Sequence, residues 1–319
     1  MKNSLIYYTV GALLYCPSVN TSIADSIIRE QFGSCYSLAL CLEDTVSDQY
    51  VQEAEQLLIN SITALFVQKE TKSFYLPKIF IRVRCSSQIP SLFARLGSAS
   101  QLITGFILPK FSPENADSYL EEIIKLNQTC ERSVYMMPIL ESPSIVNLRQ
   151  RHDTLYTLKE KLDLAAPHVL NVRVGGNDLC HIFGFRRHST ESIHSIKPIA
   201  DIFSDIITIF GMDYVVSGPV WEYYNGDSWD LGLKNELVQD KLCGFIGKTV
   251  IHPNQISLVN EAYKVSSADL ADAKSILGWD STSPMLVSGS IGNKRMNEYK
   301  THYNWAQKML YLSEYYGVS

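Results

Sequence analysis

Charged side chains stand directly after a series of short apolar runs in this chain, and that is where its chemistry is to be sought. Glu43 and Asp44 follow SLALCL, Arg82 and Arg84 close KIFIRVR, Lys110 closes TGFILPK, and Glu141 closes VYMMPILE. Further on, VLNVRV runs into Gly175-Gly176-Asn177-Asp178, Trp221-Glu222 follows YVVSGPV, and KTVIHP carries Lys248 and His252. Two carboxylates at successive run ends, Glu141 and Asp178, suit Mg2+, which takes few protein oxygens and leaves its other positions to water and substrate. Each could instead cap the helix that follows it. Arg82 offers a planar fork for a substrate carboxylate, or a partner for Glu43 or Asp44. Gly175-Gly176 marks a tight turn or a close backbone approach to a ligand. His252, between a buried run and Pro253, reads as a structural hydrogen-bonding group more readily than as a general base. His188 and His194 lie in a polar stretch and read as solvated.

The elements that must position these residues follow from the runs themselves. Eight occur in order, at 12–16, 37–44, 78–84, 104–110, 134–141, 169–176, 214–220 and 248–253. They are continuous rather than alternating, as strands buried on both faces of a parallel sheet are. The intervals carry helical stripes at 23–32, 49–68, 118–126, 148–162, 193–210 and 255–264. Strand and helix alternating eight times predicts a (β/α)8 TIM barrel, whose chemistry sits at the carboxyl ends of the strands. The alternative is a doubly wound open sheet, but no glycine-rich phosphate loop follows a strand. We expect residues 1–282 to form the barrel. Residues 283–319 then add a C-terminal loop and a helix over 304–315, as a lid or an oligomer arm.

Composition narrows the partners. Of 319 residues, 28 are Lys or Arg and 33 are Asp or Glu, a net charge of -5, so no basic field gathers nucleic acid or anionic lipid. The apolar stretch 4–16 lacks a small-residue cleavage pattern and reads as the approach to the first strand, not as a secretion signal. Seven cysteines form no CxxC pair, which points to free thiols in a reducing cytoplasm rather than to disulfides or zinc.

Taken in order, LYCPSVN, CLEDTVSD, FIRVR, GFILPK, PILESP, VGGNDL and GFIGKTVIHPNQI resemble the citrate lyase β-subunit-like branch of the HpcH/HpaI aldolase superfamily, over residues 12 to about 265. FGFRR, SGPVWEYY, GKTVIHP and NKRMNEYKTHYNWA are similar to a subgroup described as a carbon-carbon bond lyase of tellurium-resistance and stress operons. The resemblance implies an oligomeric barrel enzyme, a trimer or hexamer, that uses Mg2+ to hold a 2-keto acid or its enolate. Carried over by position, Glu141 and Asp178 are its metal ligands. Arg82 binds substrate carboxylate and steadies enolate charge, while Glu43 and Asp44 organise water and arginine near the metal. Lys110, Gly175 and Gly176 join the substrate-binding set.

Two departures bear on the substrate. Relatives acting on coenzyme A thioesters commonly read Arg-Val-Asn at the third strand, where this chain has Arg84, an extra cation expected in the mouth. Some also carry a catalytic aspartate in a Met-Ile-Asp segment, where this chain reads Arg295-Met296-Asn297-Glu298. Both argue against acyl-CoA. The expected reaction is cleavage or formation of a 3-hydroxy acid or ketoacid unit. One rival uses the same metal on a phosphoribosyl or nucleoside-like metabolite, stacked on Trp221, Tyr223 or Tyr224. Another is a catalytically idle barrel serving as a binding subunit.

Overall fold

A computed structural model describes residues 2–319. Eight parallel strands form one sheet: β1 (Ala12–Pro17), β2 (Tyr36–Cys41), β3 (Lys78–Arg82), β4 (Ile103–Leu108), β5 (Tyr135–Leu140), β6 (Val172–Val174), β7 (Val216–Ser217) and β8 (Lys248–Val250). Sequential strands pair from β1 to β7, and β8 pairs with β1. The circle closes between β7 and β8 through a parallel bridge, Gly218 to Lys248, where the Gly218 N–H donates to Gly247 O at 3.0 Å. Gly247 has φ +72°, and a Cβ there would press on Gly11 O at 2.6 Å, so only glycine lets β8 enter against β1. All eight expected strands are present, and the TIM barrel is the fold.

The helices around it are α1 (Ile23–Ile28), α2 (Val51–Lys69), α3 (Gln88–Leu96), α4 (Ala116–Thr129), α5 (Arg151–Asp163), α6 (Gly176–Phe183), α7 (Lys197–Phe210), α8 (Trp229–Cys243) and α9 (Asn254–Tyr263). Two apolar layers result. A large one lies between strands and helices, and a small one inside the barrel contains Leu13, Ala39, Phe80, Ile107, Met137 and Leu170. Among the described residues no helix is long and apolar enough to cross a membrane.

Past the barrel, α10 (Ser267–Leu277), a hairpin of β9 (Val287–Gly289) and β10 (Met296–Glu298), and α11 (Tyr299–Tyr316) pack together. Arg295 ties the hairpin to Asp269 and Asp272 of α10, each at 2.6 Å. On α11, Tyr311 stacks on Tyr8 at 4.9 Å and Tyr315 lies against Gly11, just before β1. The helix therefore covers the amino ends of the strands, opposite the mouth. Tyr311 and Tyr315 of the terminal helix thus close the floor of their own barrel.

Lys248 requires a correction. It stands at the start of β8 and points outward, fully buried against α8, where it meets Glu236 at 2.9 Å and Asp240 at 2.7 Å. His194 is not solvated either; its Nε2 lies 2.7 Å from Asp240 Oδ1, with the side chain 7% exposed. Glu236 also accepts from Arg187 at 3.4 Å and from the Ile193 N–H at 2.8 Å. These charges fasten α8 to the barrel. Burial pushes the Asp240 carboxyl up, but Lys248 and His194 outweigh it and hold it below its usual range. The stability it contributes is complete above about pH 4, the unfolded value, and is lost as pH falls through the lower folded value. Asp240→Ala leaves a buried ammonium short of a partner and should cost about 3–5 kcal/mol in urea unfolding at neutral pH.

Candidate functional site

The mouth of the barrel opens on a cavity of about 340 Å3 lined by Tyr15, Asp44, Arg82, Glu141, Arg173 and Asp178 among others. Arg82, the last residue of β3, is buried with 6% exposure. Its Nη2 lies 2.8 Å from Glu43 Oε2, 3.1 Å from Asp44 Oδ2 and 3.4 Å from Glu141 Oε1. Thus both readings of Arg82 meet in one place: it pairs with the acidic residues after β2 and still lines the cavity. Its Nε has no hydrogen-bond partner. Burial disfavours the guanidinium charge, but Tyr15, Glu141 and Glu43 outweigh it and keep the group protonated.

Lys110 completes the cluster from β4. Its ammonium reaches Glu43 at 2.6 Å and Asp44 at 3.0 Å, while its backbone N–H donates to Glu141 Oε1 at 2.9 Å. That double use requires φ +48°, in the left-handed region that non-glycine residues seldom occupy. Asn115 Nδ2 braces the turn by donating to Lys110 O at 3.0 Å. Of the acidic pair, Asp44 lines the cavity and Glu43 lies beneath it with 8% exposure. Burial raises Glu43 above the usual carboxylate range. The same burial acts on Asp44, but its hydrogen bonds with Glu43 and Lys110 pull it down to about 2.

Glu141, just past β5, is almost fully buried. Burial, opposed by Arg82 and reinforced by Asp178 and Glu43, pushes its carboxyl up to about 8. Asp178 sits in the first turn of α6 and lines the same cavity. Among the described residues no three His, Cys, Asp or Glu side chains converge as a metal cage. Two carboxylates facing one open cavity are the donor set that Mg2+ accepts, with water and substrate filling the remaining positions. The fit is supported by Glu141 itself, a carboxyl crowded by other carboxyls where a cation would relieve the repulsion.

Arg84 lies elsewhere. β3 has ended before it, and its guanidinium donates to Leu42 O at 2.7 Å, to Glu43 O at 3.4 Å, to Val46 O and to Asp48. It pins the loop that carries Glu43 and Asp44. Gly175 and Gly176 both line the cavity, and the close approach at Gly175 is to the Glu141 side chain. Trp221 is fully buried beneath Arg187, and Tyr223 donates to Arg187 O at 3.0 Å. Only Tyr224 remains half exposed, stacked on His252 at 4.7 Å. His252 Nδ1 accepts from the Asn254 N–H at 3.2 Å, a structural role.

Arg173 and Thr249, which the sequence reading did not single out, line the cavity from β6 and β8. The signal for Arg173 was the one charge in the run VLNVRV.

A family model described as C-C bond lyase of the TIM-barrel fold matches residues 4–318. Over 62 residues the chain is 36% identical to an L-malyl-CoA/beta-methylmalyl-CoA lyase of Rhodobacter capsulatus, a match spanning 19% of this chain and only 18% of that relative. Among solved structures it is similar to the protein CitE of Mycobacterium tuberculosis, in complex with magnesium, acetoacetate and coenzyme A. That likeness has 18% identity and a TM-score of 0.61, and covers 97% of this chain and 99% of that one. The citrate lyase beta subunit of the same organism, complexed with oxaloacetate and magnesium, is similar at 16% identity and a TM-score of 0.51, covering 82% of this chain and 99% of that one. At these identities the structural matches establish the barrel.

A Cβ on Gly175 would collide with the Glu141 carboxylate and its Cβ, which Arg82 and Lys110 hold in place. Gly175→Ala should therefore lower stability by about 1–3 kcal/mol. It should also displace Glu141, which a calorimetric titration with Mg2+ reads as weaker binding.

Proposed function

This chain belongs to the carbon-carbon bond lyase family of the TIM-barrel fold, and from that premise we propose that it cleaves or forms a 3-hydroxy acid or ketoacid unit with the help of Mg2+. The observation that carries this reading is the mouth itself: a buried arginine within reach of three carboxylates, beside a fourth, around a cavity of about 340 Å3. Glu141 and Asp178 would hold the cation. When bound, it supplies Lewis-acid polarisation of a carbonyl oxygen and a template for the acid.

The remaining work falls to the chain's own residues. In the cleavage direction, a water ordered by Asp44 takes the proton of the substrate's 3-hydroxyl. That oxygen becomes a carbonyl as the carbon-carbon bond breaks. The bonding pair passes to the other fragment as an enolate, whose charge Arg82 shares until its carbon takes up the proton that the water carried away. A preorganised cation in such a site is worth roughly 3 kcal/mol, by analogy with other oxyanion stabilisers. Glu43, Asp44 and Lys110 fix Arg82 in advance, so no reorganisation is needed as charge develops.

The likeness to the magnesium and ketoacid complexes of CitE and citrate lyase beta subunit supports the choice of cation and acid. Burial of Trp221 leaves the nucleoside-like alternative with little stacking surface. Seven unpaired thiols support a reducing, cytoplasmic setting. Exposed Leu148 and Phe183, which border one cavity of about 370 Å3, support a homo-oligomer.

Three measurements test the reading. Glu141→Ala and Asp178→Ala should each abolish Mg2+ binding and turnover with oxaloacetate or citramalate-type acids; retention of both by both variants overturns the assignment. Arg82→Lys keeps the charge, loses the fork and should lower turnover about 100-fold or more. Because Glu141 is protonated below about 8, Mg2+ must displace that proton. Apparent affinity should rise about tenfold per pH unit up to that value, with proton uptake by the buffer detectable in calorimetry.

A further inference from the structure

The barrel interior holds a charge that no carboxylate among the described residues answers. Arg173 stands in the middle of β6 with 1% exposure and lines the cavity. Its Nη2 donates to Thr249 Oγ1 at 2.6 Å, while Nε and Nη1 have no partner. Among the described residues no carboxylate pairs with it, although Arg82, on the same cavity, pairs with three. Tyr15 lies beside it and is the other polar group of this wall. A buried guanidinium without a counterion is costly, and a neutral residue would pack the interior more cheaply.

Register sets its depth. Arg173 pairs with Ile139 across β5 and β6, and Glu141 lies two residues beyond Ile139 toward the mouth. The step is about 6.6 Å along the strand. The cation therefore sits one pleat below the carboxylate corner, on the same cavity.

We propose that Arg173, positioned by Thr249, binds a second anionic group of the substrate, and that the substrate is a short dicarboxylic keto or hydroxy acid. One end meets the corner of Glu141, Asp178 and Arg82, and the other carboxylate reaches down to Arg173. The inference rests on the metal and keto acid reading above and adds to it a specificity residue. It also relocates the extra cation of this mouth from Arg84 to Arg173.

The test compares oxaloacetate with pyruvate, which lacks the second carboxylate, by calorimetry in Mg2+ with the full chain. Wild-type protein should prefer oxaloacetate. In Arg173→Met the ratio of the two dissociation constants should fall by about tenfold or more, the usual size of a charged hydrogen bond, while pyruvate is held as before. The melting temperature should stay or rise, since an unanswered buried charge has gone; a purely structural arginine would lower it. Thr249→Val, which leaves the guanidinium but removes its anchor, should lower the same ratio by a smaller factor and covers the case of a poorly folding Arg173 variant. An unchanged preference in both variants, or no preference in wild type, overturns the inference and leaves the keto acid reading standing. Binding of neither acid by wild type overturns both.

Discussion

The buried guanidinium of Arg82 is the interaction on which the mouth of this barrel depends. It gathers three carboxylates from two other strand ends, Glu43 and Asp44 after β2 and Glu141 after β5, within 3.4 Å of one nitrogen. The buried members of this cluster, Arg82, Glu43 and Glu141, tolerate little imbalance of charge, while Asp44 and Lys110 reach the cavity edge half exposed. Arg82 and Lys110 supply two positive charges against four carboxyls, counting Asp178. Burial first, and then the neighbouring Asp178 and Glu43 against Arg82, raise the Glu141 carboxyl so that it retains a proton. A divalent ion and a proton are two ways to remove the cost of a bare charge on that buried carboxylate.

Supporting structure is arranged so that this corner cannot relax. Lys110 takes a left-handed backbone to present its N–H and its ammonium to different members of the cluster. Gly175 leaves out a Cβ where Glu141 must pass. Arg84 spends its donors on the carbonyls of the loop that carries the acidic pair. On the far side of the barrel a different set of buried charges, Lys248, Glu236, Asp240 and Arg187, fastens α8 where an apolar stripe would do elsewhere. The terminal helix seals the floor. Strain and charge concentrate where binding is needed, and packing carries the rest.

The eight strands were legible because a parallel barrel buries both faces of each strand and writes it as an unbroken apolar run. Helices were legible only where they carried a clear stripe. α3 contains Pro90 near its start, α6 opens on Gly176 and Asn177, and α8 turns Glu236 and Asp240 inward, so its apolar period is broken by the residues that anchor it. α10 packs mainly on α11, outside the β/α rhythm that guided the reading. Within the site, acids and Arg82 could be placed because barrel geometry sends strand ends to the mouth. What Gly175 approaches could not be read, since its neighbour comes from another strand.

The two remaining arginines show where strand-end reasoning stops. Arg82 and Arg84 share the parity that would turn both inward along a continuing strand. β3 ends at Arg82, however, and beyond it the chain direction, not parity, aims the side chain. Arg173 lies inside its strand, where a run of Val and Leu makes a single arginine look like an interruption. In a closed barrel the interior of a strand borders the same cavity as its end. A charged residue at an inward position there is solvated by substrate or by nothing, and a polar neighbour such as Thr249 only orients it. Cations that define specificity in such a mouth are therefore to be sought one pleat deeper than the residues that do its chemistry.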